Sequence, residues 1–151
     1  MIMALELLVR TPNGLQTLDQ AIEGLKRDCI NLAPHVYKNM PYLVVDCCNC
    51  NPEKLSKEFI EEYLDTLPTT IGMNKLSSPL MYEDDTKVQG IVNLMESHAS
   101  IIAFPQKRFM VEVIFSCKPF DIKLAVNYLQ DSFEPKSMEV ILSYTGRELG
   151  E

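Results

Sequence analysis

Residues 90–117 read GIVNLMESHASIIAFPQKRFMVEVIFSC, and the fold turns on how this stretch is parsed. Its two ends are strands. Residues 88–94 form the first, and residues 108–116 set Phe109, Val111, Val113 and Phe115 on one face by the two-residue period of extended chain. Cys117 continues that face at the strand end. Between them lies a short apolar strand, residues 100–104, closed by the turn Pro105-Gln106-Lys107. Glu96, Ser97 and His98 interrupt this pattern, with Leu94-Met95 before them and Ile101-Ile102 after. As a tripeptide they are ordinary. In this position they put polar, reactive side chains into what otherwise reads as buried strand, and such local contradictions are where sites sit.

Working outward, residues 42–48 read as a continuous apolar strand of the kind buried in a sheet. Asn51-Pro52 then starts a helix, with Asn51 as cap and Pro52 in the first turn. Leu55, Phe59, Ile60, Tyr63 and Leu67 form its inward face, its Glu and Lys residues form the wet one, and Pro68 is expected to stop it. Residues 71–80 are expected as a strand, and Glu83-Asp84-Asp85 as an acidic loop tip that needs no metal. After residue 117, Asp121 caps a helix that buries Ile122, Ala125, Val126 and Leu129, and residues 138–144 form a last strand. Upstream, residues 2–10 alternate loosely, residues 11–14 form a turn, and Leu15, Leu18, Ile22, Leu25 and Cys29 predict an amphipathic helix over 15–30. The predicted class is α+β, an antiparallel sheet with helices packed on one face. One domain over 1–151 is expected, with 1–39 as an N-terminal extension and 40–151 as the core.

Bulk properties narrow the function. A net charge of −7 argues against a nucleic-acid binder, which needs clustered Lys and Arg on its phosphate contacts. No apolar run approaches the roughly 18 residues of a membrane span, and the first residues lack the basic start of a secretory signal. A cytoplasmic protein is expected. Five cysteines, an odd number, fit a reducing compartment better than a disulfide framework. Cys47, Cys48 and Cys50 cluster, but Cys29 and Cys117 stand alone, so no second ligand pair for structural zinc is evident and no metal is expected. His35 reads as a surface residue.

In the order and spacing of its motifs the chain resembles the short prokaryotic class of S-adenosylmethionine decarboxylases. The resemblance rests on Glu96-Ser97-His98 in a β-rich region, the aromatic-proline pair Phe104-Pro105, and the strand ending in Cys117. The strand at residues 42–46, Cys50 ahead of its helix, and residues 140–147 also fit. About 110 residues are covered, and 1–39 are unmatched.

This resemblance implies a self-made cofactor. Ser97 would attack the carbonyl of Glu96, and elimination would cut the chain into 1–96 and 97–151, leaving Ser97 as an N-terminal pyruvoyl group. The pyruvoyl ketone would form a Schiff base with the substrate amine and act as electron sink while carbon dioxide leaves. Cys117 would protonate the product carbanion, with His98 in a supporting place. The implied substrate is S-adenosylmethionine, the product serving spermidine and other polyamine synthesis, and the implied assembly is a homodimer. Read from the residues alone, Cys117 is equally a small buried residue finishing an apolar face.

The chain also departs from the family. Ile102 stands where the family has a second histidine and Gln89 where it has a serine, both tied to processing; neither can move a proton. Gln106 replaces an acid, and Lys118 a frequent glycine. A second reading is therefore a non-catalytic, unprocessed relative that binds a ligand or a partner subunit. A third keeps the chemistry but acts on an amino acid such as arginine or ornithine.

Overall fold

The turn at residues 11–14 closes a hairpin and does not lead directly into the helix expected from Leu15. The computed structural model describes residues 7–29 and 36–148. In it β1 (Leu8–Thr11) and β2 (Gly14–Thr17) pair antiparallel, and α1 (Leu18–Cys29) begins only after them. Leu15, expected on the helix, is therefore an exposed strand residue. A capping box sets the boundary. Thr17 Oγ1 accepts the Gln20 N–H at 3.1 Å, and the Gln20 side-chain carbonyl accepts the Thr17 N–H at 3.0 Å. His35 lies outside the described residues.

β3 (Val36–Cys48) contains the predicted apolar strand. Asn51 does cap, but what it caps is a 3₁₀ turn, Pro52–Leu55, through a 3.1 Å bond from the Glu53 N–H. α2 (Lys57–Thr70) has its own cap, Ser56, whose Oγ accepts the Phe59 N–H at 3.2 Å. Pro68 does not stop α2, which runs on to Thr70. A proline in the last turn keeps a helical φ and removes only its own N–H, and the Ile71 N–H still reaches the Leu67 carbonyl at 3.1 Å. Residues 71–79 are loop, apart from one bridge between Lys75 and Leu94. The expected strand is shortened to β4 (Leu80–Glu83), which turns into β5 (Val88–Leu94). At that turn Asp84 accepts bonds from the Thr86 N–H and hydroxyl and from the Lys87 N–H, all within 2.9 Å. These donors hold its carboxyl well below the usual carboxylate range and account for the acidic tip.

The remainder follows the predicted order: β6 (Ser97–Phe104), a 3₁₀ turn at Pro105–Lys107, β7 (Phe109–Ser116), α3 (Ile122–Phe133) and β8 (Ser137–Glu148). Asp121 caps α3, accepting the Leu124 N–H at 2.9 Å. β6 begins at Ser97 and not near Ser100, so the polar break is a turn of only Met95 and Glu96.

The strands form one sheet in the order β2-β1-β8-β3-β7-β6-β5-β4, antiparallel except where β1 runs parallel to β8. The α+β class is as predicted. The helices cover one face, whose rows include Leu43, Ile114 and Ala99, then Val45, Glu112 and Ile101, all buried. α2 lies so close to β5 that a Cβ at Gly90 would fall 2.7 Å from Leu64 Cδ1, which glycine avoids. The apolar set Phe109, Val111, Val113 and Phe115 lies on the other face, which no helix among the described residues covers, and is only half-buried. Leu80 at 74%, Tyr82 at 54% and Ile102 at 38% exposure share that uncovered face.

Candidate active site

The turn between β5 and β6 joins Leu94 to its cross-strand partner Ser97 through two residues. The second, Glu96, has φ 67°, in the left-handed region that costs a residue with a Cβ about 1 kcal/mol or more. Strain is thus stored at the Glu96–Ser97 junction. The loop after α2 braces it from one side: the Met95 N–H bonds the Asn74 carbonyl at 2.9 Å, and the Leu76 N–H bonds Asn93 O at 2.9 Å. The end of β7 braces it from the other, where the Cys117 N–H donates to the Glu96 carbonyl at 3.1 Å. Glycine adopts φ 67° without penalty, so Glu96→Gly is expected to raise stability by about 0.5–1 kcal/mol in urea denaturation. Unchanged or lower stability would argue that the turn is relaxed.

Ser97 is half-buried on the helix-covered side, with Oγ 4.0 Å from the Met73 sulfur. His98, next in the chain, has its ring on the uncovered face, 5.7 Å from that of Phe115. Cys117 is half-buried one residue beyond β7. The Glu96 carboxylate reaches Lys118 Nζ at 3.8 Å, but both side chains are more than half exposed and solvent screens the pair. The structure therefore brings together the Glu96 carbonyl, Ser97 and the Cys117 backbone, and sets the His98 ring on the opposite side of the sheet.

Gln89 and Ile102 are cross-strand partners on the uncovered face. Ile102 is five residues along β6 from Ser97, about 17 Å at the usual rise of a strand, and points to the other face. Within one chain neither position reaches the Ser97 hydroxyl. Sequence reasoning overlooked Met73 and Ser116. Met73 carries no local signal. Ser116 does, as a small polar residue ending an apolar strand just ahead of Lys118-Pro119.

A second polar cluster lies in the core, where Glu112 is 1% exposed on β7. It accepts a 2.6 Å bond from the Tyr63 hydroxyl at Oε2, while Oε1 is buried without a partner among the described residues. Burial pushes the Glu112 carboxyl up to about 8, against a smaller lowering by the Tyr63 bond. Burial, with the charge of Glu112 next, raises Tyr63 well above its ordinary range. Beside them Cys47 and Cys50 are buried, and Cys48 is exposed. A hydrogen bond between Cys47 and Cys50 is the main cause that raises the Cys47 thiol and lowers that of Cys50. Among the described residues no three His, Cys, Asp or Glu side chains converge so as to hold a metal, and no helix is long and apolar enough to cross a membrane. A groove of about 900 Å³ between the β1–β2 hairpin, α1 and α3 includes none of Glu96, Ser97 and Cys117.

The α+β fold, one eight-stranded sheet with helices packed on one face, is shared with a solved adenosylmethionine decarboxylase. The crystal structure of the adenosylmethionine decarboxylase from Aquifex aeolicus VF5 is similar to this chain with a TM-score of 0.63 at 20% identity, over 76% of this chain and 94% of that one. The family model for S-adenosylmethionine decarboxylase matches residues 41–144, and the chain belongs to that family. No curated protein matches it. β1, β2 and α1 lie outside the matched residues.

Proposed function

We propose that this chain is a self-processing, pyruvoyl-dependent decarboxylase of S-adenosylmethionine that supplies polyamine synthesis. The observation that carries this reading is the left-handed Glu96, whose carbonyl accepts the Cys117 N–H at 3.1 Å. Both features favour attack at that carbon. The left-handed turn raises the energy of the intact chain at this junction, and the amide donor stabilises charge on the Glu96 oxygen. Ser97 Oγ bonds to the Glu96 carbonyl carbon, and the C–N bond breaks as the nitrogen takes the hydroxyl proton. The resulting ester loses the Ser97 Cα proton and expels Glu96 as a carboxylate. Water then replaces nitrogen at the new N-terminus, releasing ammonia and leaving the ketone. That ketone supplies an electron sink for loss of carbon dioxide from a bound amino acid.

Cys117 divides into two roles. Its amide acts on the Glu96 carbonyl, and its thiol protonates the product; His98 lends support from across the sheet, packed beside Phe115. Cys117→Ala keeps the amide and loses the thiol. It is expected to cleave at nearly the parent rate and to lose roughly 100-fold or more in decarboxylation, measured as labelled carbon dioxide released from S-adenosylmethionine, with arginine and ornithine as comparison substrates. Parent-like turnover in the variant would remove the thiol from the site, and release from arginine or ornithine alone would change the substrate.

A homodimer accounts for the uncovered face. The row of Tyr42, Phe115 and His98 and the row of Leu80, Ile91, Ser100 and Val113 leave largely apolar surface that a second copy would bury. The second reading, an unprocessed relative serving as a ligand-binding or partner subunit, draws on a different observation. Among the described residues the polar contact of the Ser97 hydroxyl is the Met73 thioether, which is no base.

A further inference from the structure

We propose that Ser116 is a positioning residue for cleavage at Ser97, its buried hydroxyl holding the turn of Ser116, Cys117 and Lys118 so that the Cys117 N–H meets the Glu96 carbonyl. The inference rests on the reading of function above and adds a residue to it. Ser116 ends β7, is the cross-strand partner of Ser97, and is 0% exposed. Its Oγ accepts the Lys118 N–H at 2.9 Å and donates to the Lys118 carbonyl at 2.5 Å. One hydroxyl thus satisfies both backbone groups of a residue two positions on, in a turn built from its own side chain. Cys117 lies between the two anchored residues. Its amide direction follows from theirs and from the β6–β7 register, which the bond to the Glu96 oxygen at 3.1 Å continues by one residue pair.

The chemistry makes this direction matter. When Ser97 Oγ bonds to the Glu96 carbon, an electron pair moves onto the carbonyl oxygen, and a donor about 3 Å away stabilises it. Loss of one such donor slows acyl transfer by roughly 100-fold or more, so a turn that lets the amide swing away forfeits much of the rate. The Lys118 side chain reaches the Glu96 carboxylate at 3.8 Å, but both groups are more than half exposed and solvent screens the pair, so the turn relies on the Lys118 backbone. Pro119 follows, and having no N–H it cannot extend β7 past the turn.

Two readouts test this. In the first, cleavage is followed by mass after synthesis of the parent, Ser116→Ala and Ser116→Thr. Ser116→Ala is expected to cleave roughly tenfold or more slowly while unfolding cooperatively, and Ser116→Thr, which restores the hydroxyl, to regain most of the rate. In the second, amide exchange is measured in chains that also carry Ser97→Ala and stay whole. The Cys117 amide is expected to lose about tenfold in protection on Ser116→Ala while the Ile114 amide, inside β7, does not. Equal cleavage in parent and Ser116→Ala overturns the inference alone, as does slowed cleavage with an unchanged Cys117 amide. A parent that never cleaves overturns the reading of function beneath it.

Discussion

Glutamine in place of Glu112 is expected to leave the chain more stable than the parent at pH 8.5 and close to it at pH 5. The unfolded carboxyl titrates near 4.5, and burial against Val45 and Ile101 moves the folded one to about 8. Between these values the folded chain holds the proton and the unfolded chain does not. The parent's stability therefore falls as pH rises through the window, and the loss is complete above about 8. At about 1.4 kcal/mol per pKa unit the full loss is on the order of 5 kcal/mol, large beside the net stability of a domain of this size. Glutamine keeps an acceptor for the Tyr63 hydroxyl, cannot ionise, and should flatten this dependence. Denaturant unfolding of both chains at pH 5, 7 and 8.5 measures it. Parallel curves would mean that Glu112 titrates without shift.

The second large effect is all-or-none. Ser97→Ala is expected to remain one chain of 17.2 kDa under every condition in which the parent divides. Alanine fits the first position of β6 and leaves the left-handed Glu96 and the Cys117 N–H in place, so strain and oxyanion donor persist without a nucleophile. Cleavage between 96 and 97 in that variant would rule out the serine hydroxyl as the attacking group.

Much of this architecture is legible in the residues because it is local. Asp121 ahead of an apolar helical face marks α3, and the two-residue alternation of residues 109–115 marks β7. What alternation does not carry is which face is covered. Phe109, Val111, Val113 and Phe115 form the more apolar set, yet the helices cover the face of Met110, Glu112, Ile114 and Ser116. Glu112 reads as an outward polar residue, and only the Tyr63 hydroxyl, distant in sequence, makes its burial tolerable. The N-terminal hairpin was masked for a related reason. Leu15 fits the helical period, but the reciprocal Thr17 and Gln20 bonds start α1 beyond it.

At the candidate site the residue types were legible and their grouping was not. Glu-Ser-His reads as one polar break, whereas the fold assigns Glu96 to the turn and sends Ser97 and His98 to opposite faces. Ile102, which the sequence sets against self-cleavage, is too far along β6 to act on its own Ser97, and its place is the uncovered face. The Cys117 bond to the Glu96 carbonyl is a backbone contact between elements, and side-chain identity carries no sign of it.

The central claim is that the Glu96–Ser97 peptide bond breaks by the chain's own chemistry. The intact mass of the purified parent, followed over days at neutral pH, tests it most directly. Two species are expected, 1–96 ending in a free carboxylate and 97–151 starting with a pyruvoyl group that blocks N-terminal sequencing. One undivided species of 17.2 kDa, with an unmodified Ser97 throughout, would contradict it.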